Sequence, residues 1–310
     1  MANPFYKRDV ISIKDFTREE FERLFTTVGK LERMDVKERR RLGEDRVLAL
    51  LFFEPSTRPR LRFEAGLYYI GGHTIGFAEP RMASIEKGEN LTDTLKTVEG
   101  YSDIIVIRHP LEGAARFAAE ISDKPIINAG SGGEEHPTQA MLDLYTMMKE
   151  TGRIDGLKVA VVGDLKYSRT AHSLLYALAK YSLQVWLVSP PQLRVRKEIL
   201  FDIKGSLQVK EAERVEEIIE ELDVVYVTRI QKERFPDPAE YEKVKGSYVI
   251  DGSVLKRAKE DLIILHPLPR VDEVKPEVDS TRHARYFRQA HYGKLVRAAL
   301  LALILNEDVP

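Results

Sequence analysis

The chain has 310 residues, 48 Lys+Arg against 49 Asp+Glu, a formal net charge of -1 and no cysteine. The balanced charge excludes a general nucleic-acid or anionic-membrane binder, which carries a basic excess. The missing cysteine excludes disulfides, thiolate metal sites and a cysteine nucleophile. At roughly 150 residues per domain the length suggests two domains. The N-terminal MANPFYKRDV lacks the apolar core of a signal peptide. The most apolar run, 295–305, is about half of the roughly 20 residues that a bilayer span needs, and it contains Arg297. These features give the expectation of a globular cytoplasmic protein with no membrane or nucleic-acid partner.

In chain order, Thr17 and Glu20 form a capping-box pattern. Phe21, Leu24, Phe25, Val28 and Leu31 then follow at helical spacing. Residues 46–53 (RVLALLFF) form a nearly continuous apolar run, as expected of a strand buried on both faces. A helix is expected over 57–70 and a strand over 73–77, then strands over 103–107 and 125–128 and a helix over 138–149. The second half repeats the alternation, with strands at 158–162, 184–188, 223–228 and 262–265 and helices at 168–181 and 290–305. This is the pattern of an α/β protein with two domains, each a parallel β-sheet flanked by helices. The segment 151–156 is the candidate boundary, giving a first domain over 1–150 and a second over 151–289. The last helix, within 290–310, is apolar nearly all round and is expected to be buried, packing back on the first domain.

Ligands of open parallel sheets bind outside the carboxyl ends of the strands. The residues that follow each expected strand are therefore candidates. They are Glu54-Pro55-Ser56-Thr57-Arg58-Pro59-Arg60, Arg108-His109-Pro110, a Gly-Ser-Gly-Gly turn leading to His136-Pro137-Thr138-Gln139, Gly163 to Thr170, Arg229 with Gln231, and His266-Pro267-Leu268-Pro269-Arg270. Arg58, Arg108, Arg169 and Arg229 leave four of these six strand ends. Arginine stays charged and grips carboxylates and phosphates with a planar fork. A cationic cleft for small polyanions is implied. Ser56-Thr57-Arg58 lies where a strand turns into a helix, a natural anion site; alone, Ser56 reads as a helix N-cap. His136, in arginine company, suits polarisation of a carbonyl oxygen. No HExxH or paired-histidine pattern supports a metal. Gly163 begins a loop that lacks the second and third glycines of GxGxxG, which argues against a nicotinamide cofactor. Ser84 to Asn90 reads by itself as a polar surface loop.

Taken together, these motifs resemble those of the carbamoyltransferases across essentially the whole chain. Ser56-Thr57-Arg58-Pro59-Arg60 is similar to the S-T-R-T-R carbamoyl-phosphate signature. Arg108-His109-Pro110, His136-Pro137-Thr138-Gln139 and His266-Pro267-Leu268-Pro269-Arg270 follow in the family's order. The segments 164–170 and 228–234 resemble the aspartate-specific branch. The ornithine-specific branch typically carries His-Cys-Leu-Pro where this chain has Pro267. The resemblance implies transfer of the carbamoyl group of carbamoyl phosphate to L-aspartate, giving N-carbamoyl-L-aspartate and phosphate, in pyrimidine biosynthesis. It implies no cofactor and no metal. Ser56, Thr57 and Arg58 would cradle the phosphate. Arg108 would touch phosphate and carbonyl oxygen, with His136 and Thr57 polarising that carbonyl. Gln139 and the Pro267–Leu268 backbone would position the carbamoyl amide, and Arg169, Arg229 and Gln231 the aspartate carboxylates. Ser84 and Lys87 would reach a neighbouring subunit's site in a homotrimer, Lys87 also touching aspartate. Separate regulatory chains are left open.

Three residues depart from the family pattern. Pro59 replaces the usual second threonine of the signature and lacks both hydroxyl and N–H. Arg62 stands where the family often has serine, and Ser168 where it often has glycine; their residue types assign no effect. A carbamoyltransferase for another amine such as ornithine, or a weakly active scaffold homologue, are the rival readings.

Overall fold

The computed structural model describes residues 2–77, 88–230, 235 and 237–309. In chain order the elements are α1 (Arg18–Arg33), α2 (Val36–Arg41), β1 (Val47–Phe52), α3 (Thr57–Ile70), β2 (His73–Phe77), α4 (Leu91–Val98), β3 (Ile104–Arg108), α5 (Ala114–Ile121), β4 (Ile126–Asn128), α6 (Pro137–Thr151), β5 (Lys158–Val162), α7 (Arg169–Leu178), β6 (Gln184–Val188), α8 (Lys197–Asp202), β7 (Gln208–Ala212), β8 (Val224–Val227), α9 (Pro238–Val244), α10 (Gly252–Leu255), β9 (Ile263–Leu265) and α11 (Tyr286–Leu305). The chain divides into two compact units, Met1–Met141 with Tyr292–Pro310, and Leu142–His291. The division falls inside α6 and α11.

The first unit holds a parallel sheet in the order β2-β1-β3-β4. Leu48 to Phe52 of β1 and Ile104 to Ile107 of β3 are fully buried, because helices cover both faces. One side of this sheet packs Ala49, Leu51, Ile105 and Ile107 on Leu95, Ala115 and Ala118 of α4 and α5. The expected capping box is present: Thr17 accepts from Glu20 N, and Glu20 reaches back to Thr17 N. Within this unit α3 meets the second half of α11 closely at Gly66, where a Cβ would lie 3.1 Å from Ala298 N. The stretch of α11 from Leu295 to Leu305 is buried without a break and includes Arg297, whose Nη2 donates to Thr138 Oγ1 at 3.1 Å. Its apolar circumference follows from that enclosure.

The second unit holds a parallel sheet in the order β7-β6-β5-β8-β9. Its core joins Ala160 and Val162 of β5 to Val225 and Val227 of β8, Ile264 of β9 and Tyr286. Strand β7 (QVKEA) is not among the strands expected from the sequence. It is an edge strand with three of its five residues exposed. Such a strand carries charges rather than an apolar run.

Candidate active site

In the first sheet β1 lies between β2 and β3. The strand order reverses at β1, and the crevice beyond the carboxyl ends of β1 and β3 is the switch point where such sheets take ligands. Phe52 pairs with Arg108 in register, so the segments leaving β1 and β3 emerge side by side. Arg108 Nη2 lies 2.9 Å from Glu54 Oε2, a pairing that holds the guanidinium beside the start of α3. Ser56 occupies the N-cap position of α3, and Thr57 and Arg58 are its first two residues. The Ser56 hydroxyl makes no cap hydrogen bond, unlike the simple N-cap suggested by its position in the sequence. The third helical residue is Pro59, so the N–H that an N-cap side chain commonly accepts is missing.

His136 and Gln139 come from beyond β4. The Gly-rich turn before them closes tightly: Gly132 has φ 52° and donates to His109 O at 3.0 Å. A Cβ there would lie 2.9 Å from Glu112 N, so only glycine fits. Glu135 anchors the turn by accepting from the Ser12 hydroxyl and from Ile13 N. Burial pushes the Glu135 carboxyl above its ordinary value, although both donors pull it down. His136 is 4% exposed and Gln139 2%. Both stand at the start of α6, where Gln139 N donates to His136 O at 3.0 Å. Gln139 Oε1 accepts from Arg62 Nη1 of α3 at 3.2 Å.

In the second sheet the switch point lies between β5 and β8. Arg169 opens the helix after β5, and Arg229 follows β8 by two residues. Both are half-buried. Gly163 has φ 113°, and a Cβ on it would lie 2.3 Å from Thr228 O. The Thr228 hydroxyl reaches Val162 O at 3.1 Å and Asp164 O at 3.2 Å. The two strand ends are therefore latched, and the two arginines leave adjacent strands from a fixed base. Asp164 Oδ1 accepts from Lys166 N and Tyr167 N, turning the loop into α7. Ser168 caps α7 by accepting from Ala171 N. Ser168 is therefore the N-cap, and the helix starts one residue later than expected.

Pro267 and Leu268 follow β9, next to β8. Leu268 has φ 57°, a left-handed conformation rare for leucine. His266, 1% exposed, holds it. Leu268 N donates to His266 Nδ1 at 2.8 Å, so the ring proton sits on Nε2, which donates to Glu273 Oε1 at 2.7 Å. Burial would raise the Glu273 carboxyl, but the hydrogen bond from His266 and the backbone donors outweigh it and hold it below its ordinary value. His266 N donates to Gln289 Oε1, Gln289 Nε2 to Asp143 Oδ1, and the Tyr226 hydroxyl to Asp143 Oδ2. A buried polar network of this kind rigidifies the loop it carries.

The first unit thus brings Ser56, Thr57, Arg58, Arg108, His136 and Gln139 to the carboxyl ends of β1, β3 and β4. The second brings Arg169, Arg229, Pro267 and Leu268 to those of β5, β8 and β9. Ser84, Lys87 and Gln231 lie outside the described residues. Glu54 stands in the candidate segment after β1 but was given no role there, and Glu273 was not singled out from the sequence. Glu54 adjoins the Ser56 motif, whereas Glu273 has no local signal. Among the described residues no group of three or more His, Asp or Glu could hold a metal ion, and no helix is long and apolar enough to cross a membrane.

Comparison with known proteins accords with this geometry. Residues 8–149 match "Aspartate/ornithine carbamoyltransferase, carbamoyl-P binding domain" and residues 155–304 match "Aspartate/ornithine carbamoyltransferase, Asp/Orn binding domain". The aspartate carbamoyltransferase catalytic subunit of Nitrosopumilus maritimus is 54% identical, with 99% of each chain covered. The catalytic subunit of M. jannaschii aspartate transcarbamoylase is 49% identical, with a TM-score of 0.87 over 95% of this chain and 97% of that one. Aspartate transcarbamoylase from Trypanosoma cruzi in complex with carbamoyl phosphate is 36% identical, with a TM-score of 0.94 over 98% of each chain. Matched by both family descriptions and by full-length relatives, the chain belongs to the aspartate/ornithine carbamoyltransferase family.

Proposed function

We propose that the protein transfers the carbamoyl group of carbamoyl phosphate to L-aspartate, giving N-carbamoyl-L-aspartate and phosphate, a step of pyrimidine biosynthesis. The observation that carries this reading is the placement of two arginine-bearing strand ends at the switch point of each sheet. Carbamoyl phosphate and aspartate are both small anions. Ornithine carries a cationic side chain, for which two fixed arginines in the second unit would be unfavourable. Solved relatives include aspartate transcarbamoylase in complex with carbamoyl phosphate and aspartate.

In this reading Ser56, Thr57 and Arg58 receive the phosphate at the start of α3, where backbone N–H groups favour an anion. Arg108, His136 and Thr57 stabilise the charge that grows on the carbonyl oxygen. Gln139 and the Pro267–Leu268 backbone orient the carbamoyl amide. Arg169, Arg229 and Gln231 hold the aspartate carboxylates. The aspartate amine forms a bond to the carbamoyl carbon, the C–O bond to phosphate breaks, and the leaving phosphate accepts the amine proton. Orientation of the two reactants supplies much of the rate. The family resemblance supports a homotrimer in which Ser84 and Lys87 serve a neighbouring subunit's site. The cysteine-free chain suits a reducing cytoplasm.

The test is carbamoyl transfer assayed with aspartate and ornithine side by side on the full chain. Turnover of aspartate alone is expected. Turnover of ornithine alone, or of neither, would overturn the reading.

A further inference from the structure

Among the three departures from the family pattern, Arg62 is the one whose side chain touches a proposed substrate-binding residue. It stands in α3, 9% exposed, and its Nη1 donates to Gln139 Oε1 at 3.2 Å. Space for it is built into α11. A Cβ on Gly293 would lie 3.0 Å from Arg62 Cδ and 3.1 Å from Arg62 Nε. Any larger residue at 293 would press on the guanidinium stem. The same Cβ would lie 3.3 Å from Nη1 of the buried Arg297, which donates to Gly293 O at 3.0 Å and stacks its guanidinium over Phe63, 4.9 Å from the ring centroid.

We propose that Arg62 is a positioning residue that fixes the orientation of the Gln139 amide, and through it the preference of the site for a carbamoyl over an acyl group. The inference rests on the role of Gln139 proposed above. A glutamine amide has a donor end and an acceptor end, and a half-turn about its last bond exchanges them. Guanidinium offers donors only. Arg62 therefore selects the orientation in which Oε1 points to it and opposes the flipped one, which would set two donors face to face. An amide oxygen accepts two hydrogen bonds. Held in this orientation, the amide presents its acceptor end, Oε1, and not its donor end, which suits a carbamoyl N–H. It offers nothing to the methyl of acetyl phosphate, which is otherwise close in shape and charge.

The experiment measures binding of carbamoyl phosphate, acetyl phosphate and inorganic phosphate to the full-length protein and to Arg62→Met, Arg62→Lys, Gln139→Ala and Arg62→Met/Gln139→Ala. Arg62→Met removes the donors at similar volume. It is expected to weaken carbamoyl phosphate about tenfold, the equivalent of about 1.4 kcal/mol, and to leave the other two anions unchanged. Gln139→Ala should give a similar selective loss, and the double variant no further loss. Arg62→Lys, which keeps a donor, should retain most of the affinity and covers the case in which Arg62→Met does not fold. Equal weakening of all three anions by Arg62→Met would show a general cationic role and overturn the proposal. So would losses that add in the double variant. A selective loss in Gln139→Ala with none in the Arg62 variants would sink the part assigned to Arg62 alone. No loss in Gln139→Ala would sink the reading of Gln139 and this inference with it.

Discussion

Replacing Pro59 by threonine restores up to two donors at the start of α3. The N–H of a third helical residue is one of the groups a helix leaves unsatisfied at its N-terminus, and there it faces whatever anion binds. A hydrogen bond to a charged group contributes roughly 1.5–3 kcal/mol. The low end, or about a tenfold gain in affinity for carbamoyl phosphate, is the expectation, because the Ser56 hydroxyl competes for the restored N–H. The same competition predicts little change in stability. Losing proline costs about 0.4–1 kcal/mol through the unfolded chain, and a restored Ser56 cap returns about 0.5–1 kcal/mol. Calorimetric titration of carbamoyl phosphate and of inorganic phosphate into Pro59→Thr, beside thermal melts, checks both numbers. An unchanged affinity would refute the idea that Pro59 withholds donors from the ligand. A weaker one would mean that Pro59 serves by keeping the Ser56 hydroxyl out of the cap.

Three other outcomes follow from the same geometry. Arg229→Met should raise the KM for aspartate about 100-fold, as expected for losing about 3 kcal/mol of charge-assisted bonding, with carbamoyl phosphate binding intact; steady-state kinetics that show parallel losses for both substrates would count against its assignment. Gly163→Ala, with its positive φ and its Cβ 2.3 Å from Thr228 O, should cost about 2–4 kcal/mol of stability, and a melting temperature like that of the unmodified protein would show that the β5–β8 latch yields cheaply. Glu273 has its carboxyl held below the ordinary 4.5 in the folded state, so it stabilises the fold above that pH and loses this contribution as pH falls through the lower folded value. Glu273→Gln should flatten that acid limb in denaturant titrations, and a limb of unchanged steepness would assign the acid sensitivity elsewhere.

The strands that carry the site are legible because parallel strands buried on both faces must be almost wholly apolar, as Val47–Phe52 and Ile104–Arg108 are. The polar residue that follows such a run stands out for the same reason, and this singled out Arg58, Arg108, Arg169 and Arg229. Strand Gln208–Ala212 (QVKEA) is illegible because its exposed edge position admits Lys210 and Glu211 side by side, whereas the equally exposed edge strand His73–Phe77 (HTIGF) carries neither lysine nor carboxylate and stays readable. The His266–Glu273 bond is illegible for another reason. Its partners lie seven residues apart on an irregular loop, where no helical or strand period relates them.

Pro59, Arg62 and Ser168 look alike in the sequence, as three substitutions near recognisable motifs. Their physical consequences separate in the fold. Ser168 acts on its own helix, where its hydroxyl caps α7 and sets the position from which Arg169 departs. Pro59 and Arg62 lie three residues apart on α3, so they share one side of the helix, and they act in opposite senses. Pro59 subtracts a donor from the end that faces an anion. Arg62 adds a buried donor that reaches Gln139. A helix N-terminus attracts any anion, whereas an oriented amide distinguishes one neutral group from another. In the proposed reading the pair shifts the recognition of carbamoyl phosphate from its phosphate toward its amide. The combined variant Pro59→Thr/Arg62→Met should accordingly bind inorganic phosphate more tightly than the parent while losing its preference for carbamoyl over acetyl phosphate. Retention of that preference would show that the two substitutions do not divide the recognition in this way.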